Sequence, residues 1–185
     1  MIHLVSHYFP RDHVRKQIAA LSLDHNACVA KVEGWNFIGD MFRREPKRGV
    51  FREKAAMLVH VCQISKPDDM IMWVDGDTLI MTPDPAEIFT ILGSSDIAMA
   101  KDHYDNWTSG VFAMRCSDKM ESGWRGVMLD PKHGDSWKDY PVGLEIAELP
   151  AAWNDRYLSD DCKVLHPYGR NSITKLRLMG EALNG

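Results

Sequence analysis

Short apolar runs alternate with longer segments of helical spacing along most of this chain. The runs read IHLVS, MIMWV, DIAMA and SGVFAMR and occupy residues 2–6, 70–74, 96–100 and 109–115. Each has the length of a buried strand. Between two of them, residues 51–64 place apolar side chains on one helical face: Phe51, Ala55, Leu58 and Cys62. Strands that alternate with helices predict an α/β sandwich with a largely parallel sheet.

Further local patterns extend this prediction. ACVAKV, residues 27–32, is a short apolar run and predicts the second strand, whereas the polar, glycine-interrupted residues 33–49 carry no predicted element. Residues 82–92 predict a helix with Asp84 as its N-cap and Pro85 at its first helical position. Residues 117–129 predict another helix, and CKVLH at 162–166 predicts a late strand.

Length and composition narrow the class of protein. The chain has 185 residues, of which 45% are hydrophobic and 26% charged, and this predicts one globular domain spanning 1–185. A net charge of −4 gives no overall attraction to nucleic acid or anionic membranes. Cys28, Cys62, Cys116 and Cys162 are scattered, as in reduced cytoplasmic proteins. The start is too polar for a signal peptide, and no apolar run is long enough for stable membrane insertion.

Two acidic residues follow the MIMWV run, in the stretch WVDGDTLIM. Asp75 and Asp77 would point to the same side at the carboxyl end of a strand, where ligands bind in open α/β sheets. Gly76 between them leaves room for a ligand to approach the backbone. A divalent cation would relieve the repulsion between the carboxylates. In the metal-free protein Asp77→Asn would relieve it as well, so this change is expected to cost little stability or even to add some. The alternative is that both acids are exposed turn residues.

The order of these motifs resembles a known family. MIMWVDGDTLIM, DIAMAKD, NWTSGVFAMR and VLHPYGR, spread over residues 1–170, are similar to motifs of the GT-A nucleotide-sugar glycosyltransferases, such as glycogenin, bacterial lipopolysaccharide galactosyltransferases and yeast-type galactosyl and mannosyl transferases. The resemblance implies a Rossmann-like α/β/α sandwich with a mostly parallel mixed sheet. It also implies transfer of a sugar from a nucleotide diphosphate sugar, UDP-linked, to a hydroxyl acceptor with retention.

The resemblance assigns a metal site and catalytic carboxylates. Asp75 and Asp77 match the DxD motif that holds Mn²⁺ (or Mg²⁺), and His166 matches the histidine that supplies a third ligand. One ion can hold these groups only if Asp77 and His166 lie within about 8 Å of each other. The resemblance implies that Asp135 or Asp139 is the carboxylate nearest to the reacting carbon of the sugar.

The remaining matches concern the substrates. The residues that would line the donor and acceptor sites are Ser6, His7 and Tyr8 for the base, Lys54 for sugar and phosphate, Thr108, Ser109 and Gly110 for the sugar, Gly169 and Arg170 for the diphosphate, and Trp153 with Asn154 for an acceptor cleft. Lys54 near a helix start is expected to lie outside the core. Tryptophan faces stack on sugar rings, which is why Trp153 is assigned to the acceptor.

Six basic residues fall between positions 43 and 54. They are interpreted mainly as a solvated loop, and otherwise as a lid over the diphosphate or a contact with an anionic acceptor. The partners implied are a nucleotide diphosphate sugar and a glycan, lipid-linked or protein-linked acceptor; a DNA acceptor stays open.

Two other functions fit parts of the pattern. A haloacid-dehalogenase-like phosphatase also has DxD after a strand, but it needs a threonine or valine where this chain has Leu79, and its acids follow the first strand. A non-catalytic module that binds nucleotide sugars is the third hypothesis. Turnover assays with metal separate it from an enzyme.

Overall fold

The computed structural model describes residues 1–8, 12–41, 50–102, 105–129 and 141–184. Within them, eight strands occur in chain order: β1 (Ile2–Tyr8), β2 (Asn36–Met41), β3 (Met70–Asp75), β4 (Leu79–Ile80), β5 (Ile97–Lys101), β6 (Trp107–Arg115), β7 (Ile146–Glu148) and β8 (Val164–Leu165). The main sheet has the order β2-β1-β3-β6-β5-β7, and β4 pairs with β8 separately. Only β6 runs against its neighbours in the main sheet. The predicted mostly parallel mixed sheet is confirmed.

Helices cover both faces of the main sheet. They are α1 (His13–Glu33), α2 (Val50–Ile64), α3 (Glu87–Leu92), α4 (Asp118–Leu129), α5 (Ser172–Asn184) and a 3₁₀ helix (Ala151–Asn154). On β3, Ile71 and Trp73 point into the core beneath α2 and α4. Met72 and Val74 point into the opposite core, which α1 and α3 cover. Alternate residues of one strand therefore fill two cores, as expected for a central strand of an α/β sandwich.

The predicted strand at 27–32 is wrong, because these residues continue α1. The helix starts at the N-cap Asp12, whose carboxylate accepts from the Arg15 backbone N–H at 2.8 Å, and it ends at Gly34 in the left-handed conformation (φ 69°). Four of its five buried positions recur every four residues and carry that spacing through the apolar run: Ile18, Ser22, Asn26 and Ala30. The second strand is β2, in the segment that carried no predicted element.

The expected N-cap Asp84 is also wrong. The helix α3 begins at Glu87, and the backbone N–H of Glu87 reaches the Asp84 carbonyl at 3.4 Å in a turn that precedes the helix. The late strand is confirmed as β8, shortened to Val164–Leu165 and antiparallel to β4. None of the helices in the described residues is long and apolar enough to cross a bilayer.

Candidate functional site

The acid pair lies at the carboxyl end of β3, in the middle of the main sheet. Asp75 is the last residue of β3, and its carbonyl accepts from the backbone N–H of Thr78 at 3.1 Å, so that a turn follows. A Cβ on Gly76 would lie 2.2 Å from the Tyr8 Cβ and 2.8 Å from the His7 carbonyl oxygen. The end of β1 therefore fills the space beside Gly76 that was expected to admit a ligand, and the glycine permits close packing of the turn on β1.

Asp75, Asp77 and His166 converge on one point. His166 Nε2 lies 3.5 Å from Asp77 Oδ1 and 3.8 Å from Asp75 Oδ2. One ligand atom from each residue lies within 4.8 Å of the others. Ligands of one ion at about 2.0–2.6 Å are separated by no more than about twice that distance, so the three groups fit a single ion. Two carboxylate oxygens and an imidazole suit Mn²⁺ or Mg²⁺ better than a metal that prefers thiolates.

Two neighbours fix the orientation of His166. Its Nδ1 lies 2.8 Å from the Asn154 side-chain oxygen, so an Nδ1–H donated to that oxygen leaves the Nε2 lone pair directed at the carboxylates. A Cβ on Gly110 would lie 2.2 Å from His166 Cε1 and 2.5 Å from Nδ1. Gly110 on β6 thus leaves room for the imidazole. Its expected place in a sugar pocket stays a prediction. Asn154, expected to line an acceptor cleft, is buried and contacts His166.

Lys54 reaches the site from α2. Its ammonium donates to Asp75 Oδ1 at 3.1 Å, to the Ser109 carbonyl at 2.5 Å and to Ser109 Oγ at 2.9 Å. It also lies 4.9 Å from the ring centre of Trp73, whose indole N–H donates to the same Asp75 oxygen at 2.8 Å. Only 3% of Lys54 is exposed, so the expectation that it lies outside the core is wrong. Its flexible stem carries the charge inward from the helix.

Lys175 is a functional candidate that the sequence motifs did not identify. It projects from α5, and its ammonium donates to Asp77 Oδ2. Asp75 and Asp77 therefore each give one oxygen to a lysine and direct the other oxygen towards His166. The carboxylates and the lysine ammonium groups sum to zero charge. A bound divalent cation would bring this cluster to +2.

The charges also perturb neighbouring groups. Burial acts to raise the pKa of Asp77, but His166 in its protonated form, which would donate from Nε2 in the absence of a metal, and the charge of Lys175 outweigh burial and hold the pKa below its usual value. Burial, followed by the negative charge of Asp77, raises the pKa of the Tyr8 hydroxyl. Asp77 is thus ionised at neutral pH, and Tyr8 stays a neutral hydrogen-bonding group.

The other residues assigned to the donor lie at the ends of β1 and β6. Ser6 and His7 are buried, and the His7 ring meets the Trp73 ring edge-on at 5.1 Å. Tyr8 is half-buried at the end of β1. Thr108 Oγ1 accepts from the Gly110 N–H at 3.4 Å. The expected contacts with base and sugar stay predictions.

The structure contradicts the assignment of Trp153 to an acceptor cleft. Trp153 is completely buried, because the 3₁₀ helix turns it into the core that α1 and α3 cover. Its ring therefore cannot stack on an acceptor sugar.

The residues assigned to the diphosphate are Gly169 and Arg170. Gly169 adopts a positive φ of 66° beside Arg156, and the Arg170 guanidinium lies over the Tyr157 ring. Asp135 and Asp139, together with the basic residues at 43–48, lie outside the described residues.

Comparison with known proteins points to one kind of fold. The chain is similar to a glycosyltransferase involved in glycosylation of the major capsid of PBCV-1, with a TM-score of 0.68 and 13% identity over 97% of this chain and 98% of that one. It is also similar to the glycosyltransferase GlyE of Streptococcus pneumoniae TIGR4, with a TM-score of 0.60 and 11% identity over 98% of this chain and 62% of GlyE.

An active-site mutant of LgtC gives a TM-score of 0.53 and 11% identity over 97% of this chain and 95% of that one. No family model and no curated protein sequence matches the chain. The structural matches show a Rossmann-like GT-A fold of the kind found in glycosyltransferases, which confirms the resemblance at the level of the fold.

Proposed function

We propose that this chain is a metal-dependent glycosyltransferase that moves a hexose from a UDP-linked sugar to a hydroxyl acceptor. The observation that carries the proposal is the convergence of Asp75, Asp77 and His166, with ligand atoms within 4.8 Å of one another, at the carboxyl end of the central strand of a GT-A fold. This is the edge at which open α/β sheets bind their ligands.

The charges of the site match the proposed donor. With Lys54 and Lys175 paired to the two carboxylates, the cluster is neutral, and a divalent cation brings it to +2. The diphosphate of a nucleotide sugar carries about two negative charges. Mn²⁺ or Mg²⁺ bound here would stabilise the negative charge that develops on the departing nucleotide diphosphate. A neutral or cationic ligand would leave this charge unmatched.

The chain's own residues hold this arrangement. His166 is oriented by Asn154, and the absence of a side chain at Gly110 gives the imidazole its place. Lys54 fixes Asp75 from one side of the sheet, and Lys175 fixes Asp77 from the other helix layer. Retention rests on the resemblance to retaining GT-A enzymes, as does the proposed role of Asp135 or Asp139 near the anomeric carbon.

The experiment is a panel of UDP- and GDP-sugars incubated with the protein and Mn²⁺, with hydrolysis and transfer to simple glycans followed by mass spectrometry. We expect turnover of one UDP-hexose that stops when a chelator is added or when Asp77 is replaced by Asn. Donor binding without turnover would support the non-catalytic module. Formation of an aspartyl–beryllofluoride adduct that mimics a phosphoaspartate, with no effect of nucleotide sugars on melting, would support the phosphatase.

Several finer expectations belong to the same proposal. A single domain over 1–185, a cytoplasmic location and a glycan, lipid-linked or protein-linked acceptor all stay predictions. Limited proteolysis of the whole chain tests the first, because a second domain would release a stable fragment.

A further inference from the structure

Two arginines and two tyrosines form a stacked cluster beside the metal-ligand candidates. The guanidinium of Arg170 lies 4.5 Å from the ring centre of Tyr157, and that of Arg156 lies 5.7 Å from Tyr157 and 5.2 Å from Tyr168. We call Arg156, Tyr157, Tyr168 and Arg170 the arginine–tyrosine cluster. Cation–π contacts hold the guanidinium groups beside the rings while leaving their terminal N–H groups able to donate.

The cluster adjoins the proposed metal site. The backbone N–H of His166 donates to the Asp155 carbonyl at 2.6 Å, which ties the segment that carries Arg156 to the ligand histidine. The Tyr168 ring centre lies 5.3 Å from that of His166. A molecule bound over the cluster would therefore lie next to a donor bound at the metal.

The two arginines have no acidic partner among the described residues. Neither guanidinium has a carboxylate at ion-pair distance there, and the Nε atoms of both are buried without a hydrogen-bond partner. The neighbouring Asp155 is occupied elsewhere, because its carboxylate accepts from the Tyr157 N–H at 2.6 Å and the Ser159 N–H at 3.0 Å. The Asp161 carboxylate lies 2.9 Å from the Ser159 hydroxyl oxygen rather than beside either guanidinium. The cluster therefore presents two uncompensated positive charges.

Tyr157 adds a second property to these charges. Tyr157 is 63% exposed, although tyrosine residues are usually at least partly buried, and both guanidinium groups lie within 5.7 Å of its ring centre. An exposed tyrosine face stacks on a sugar ring, and arginine edges bind carboxylates or phosphates in bidentate fashion. A sugar ring that carries an anionic group satisfies both.

We infer that the arginine–tyrosine cluster binds an acidic sugar of the acceptor glycan, one that carries a carboxylate or a phosphate. This inference rests on the proposed function. The donor diphosphate is not the ligand that the cluster fits, because the charge of that group is already matched at Asp75, Asp77, Lys54, Lys175 and the divalent ion. Arg156 and Arg170 add two positive charges beside a site whose charges the diphosphate already balances. A second anionic group therefore suits the cluster.

The test is a glycan array with two kinds of matched pair. The first compares disaccharides that end in glucuronate with disaccharides that end in glucose, and the second compares disaccharides that end in glucose 6-phosphate with those that end in glucose. The labelled full chain is applied with UDP and Mn²⁺, and again without them. We expect at least about tenfold stronger binding to the acidic member of a pair, because a neutral sugar cannot accept the bidentate, charge-assisted hydrogen bonds of an arginine. Arg156→Gln and Tyr157→Ala are expected to remove that preference.

The control variant is Arg177→Gln on α5, where the arginine is 61% exposed and pairs with Glu181 on the surface. It should leave the acidic preference unchanged, and melting curves show whether each variant is folded. UDP–Mn²⁺ affinity is measured by calorimetry in parallel. Equal binding of acidic and neutral sugars by the wild-type chain overturns the inference, as does a loss of UDP–Mn²⁺ affinity in Arg156→Gln that matches its loss of glycan binding. Failure of UDP to bind the wild type rejects the proposed function instead, whatever the array shows.

Discussion

Lys175 donates to the oxygen of Asp77 that faces away from His166, across 98 positions of the chain. The other oxygen, Oδ1, lies 3.5 Å from His166 Nε2. One carboxylate thus connects the last helix to the proposed metal site. The ammonium already compensates the charge of Asp77. A metal ion that binds without an anionic ligand is therefore attracted less strongly than it would be by two carboxylates without neighbouring lysines.

Lys175→Met should bind Mn²⁺ about tenfold more tightly than the wild type in the absence of nucleotide, because a neighbouring positive charge is removed. Calorimetric titration with Mn²⁺ alone measures this, and Arg177→Met on the same helix is the control. A lower Mn²⁺ affinity would mean that Lys175 matters more for orienting Asp77 than for repelling the ion.

Mn²⁺ and UDP should each strengthen the binding of the other, since the diphosphate supplies the negative charge that the metal-loaded site lacks. By linkage the two factors are equal, and we expect about tenfold or more. Titrations of UDP with and without Mn²⁺, and of Mn²⁺ with and without UDP, measure both. UDP affinity that is unchanged by a chelator would rule out a bridging metal.

Asp77→Asn should lower the stability of the metal-free protein by about 2–3 kcal/mol, because it leaves Lys175 partly buried without its anionic partner. This replaces the expectation from sequence alone that the change matters little. Urea unfolding in chelator tests it, with Asp105→Asn, at an exposed position, as the control. Unchanged stability would show that repulsion between the acids had offset the ion pair.

Lys54→Ala should cost about 2–3 kcal/mol of stability as well as donor affinity, since the buried ammonium holds Asp75 and Ser109 together. The exposed Lys16 on α1 offers a matched control, Lys16→Ala. A full loss of donor affinity with an unchanged urea midpoint would contradict a structural role for Lys54.

Gly110→Ala should reduce Mn²⁺ affinity at least tenfold, because its Cβ would overlap the His166 ring. Gly126→Ala provides the comparison, since a Cβ there has open space within α4 and alanine favours a helix by about 1 kcal/mol. Metal titration and melting of both variants separate displacement of the imidazole from general damage.

Asp155 should make part of the stability depend on acid pH. Burial acts to raise its pKa, but the Ser159 hydroxyl and the backbone N–H groups of Tyr157 and Ser159 lower it further than burial raises it. Its stabilising effect is present above the unfolded pKa of about 3.9 and is lost as pH falls through the lower folded pKa. The melting-temperature gap between wild type and Asp155→Asn should therefore be larger at pH 7 than below pH 4. A constant gap would exclude this titration.

Local pattern was sufficient for the central part of the fold. The strand β3 and its acid pair form one continuous stretch, and His166 follows a short apolar strand, so the proposed ligands could be chosen from the sequence. The continuation of α1 through residues 27–32 could not be predicted from the sequence, because alanine and valine occur both in strands and on buried helix faces. The buried polar residues Ser22 and Asn26 mark the helical spacing but look unremarkable in a hydrophobic pattern.

Long-range contacts explain the remaining misses. Lys175 meets Asp77 only because α5 packs against α1, and no spacing between the two residues indicates that contact. Burial of Lys54 depends on three elements that meet at Asp75 and Ser109. Trp153 could equally have been an exposed sugar platform, and only the direction of the 3₁₀ helix decides that it belongs to the core.

The reversed direction of β6 has a consequence for protein engineering. Its neighbours present their last residues at the edge of the sheet that holds Asp75, whereas β6 presents its first, from Trp107 to Gly110. Asp105 and Asn106, which precede β6, therefore lie at the same edge as the proposed metal site, while the far end of β6 is anchored next to Met70 through Arg115. A library of substitutions at Asp105 and Asn106 would alter the approach to the proposed donor without shifting the register of the sheet.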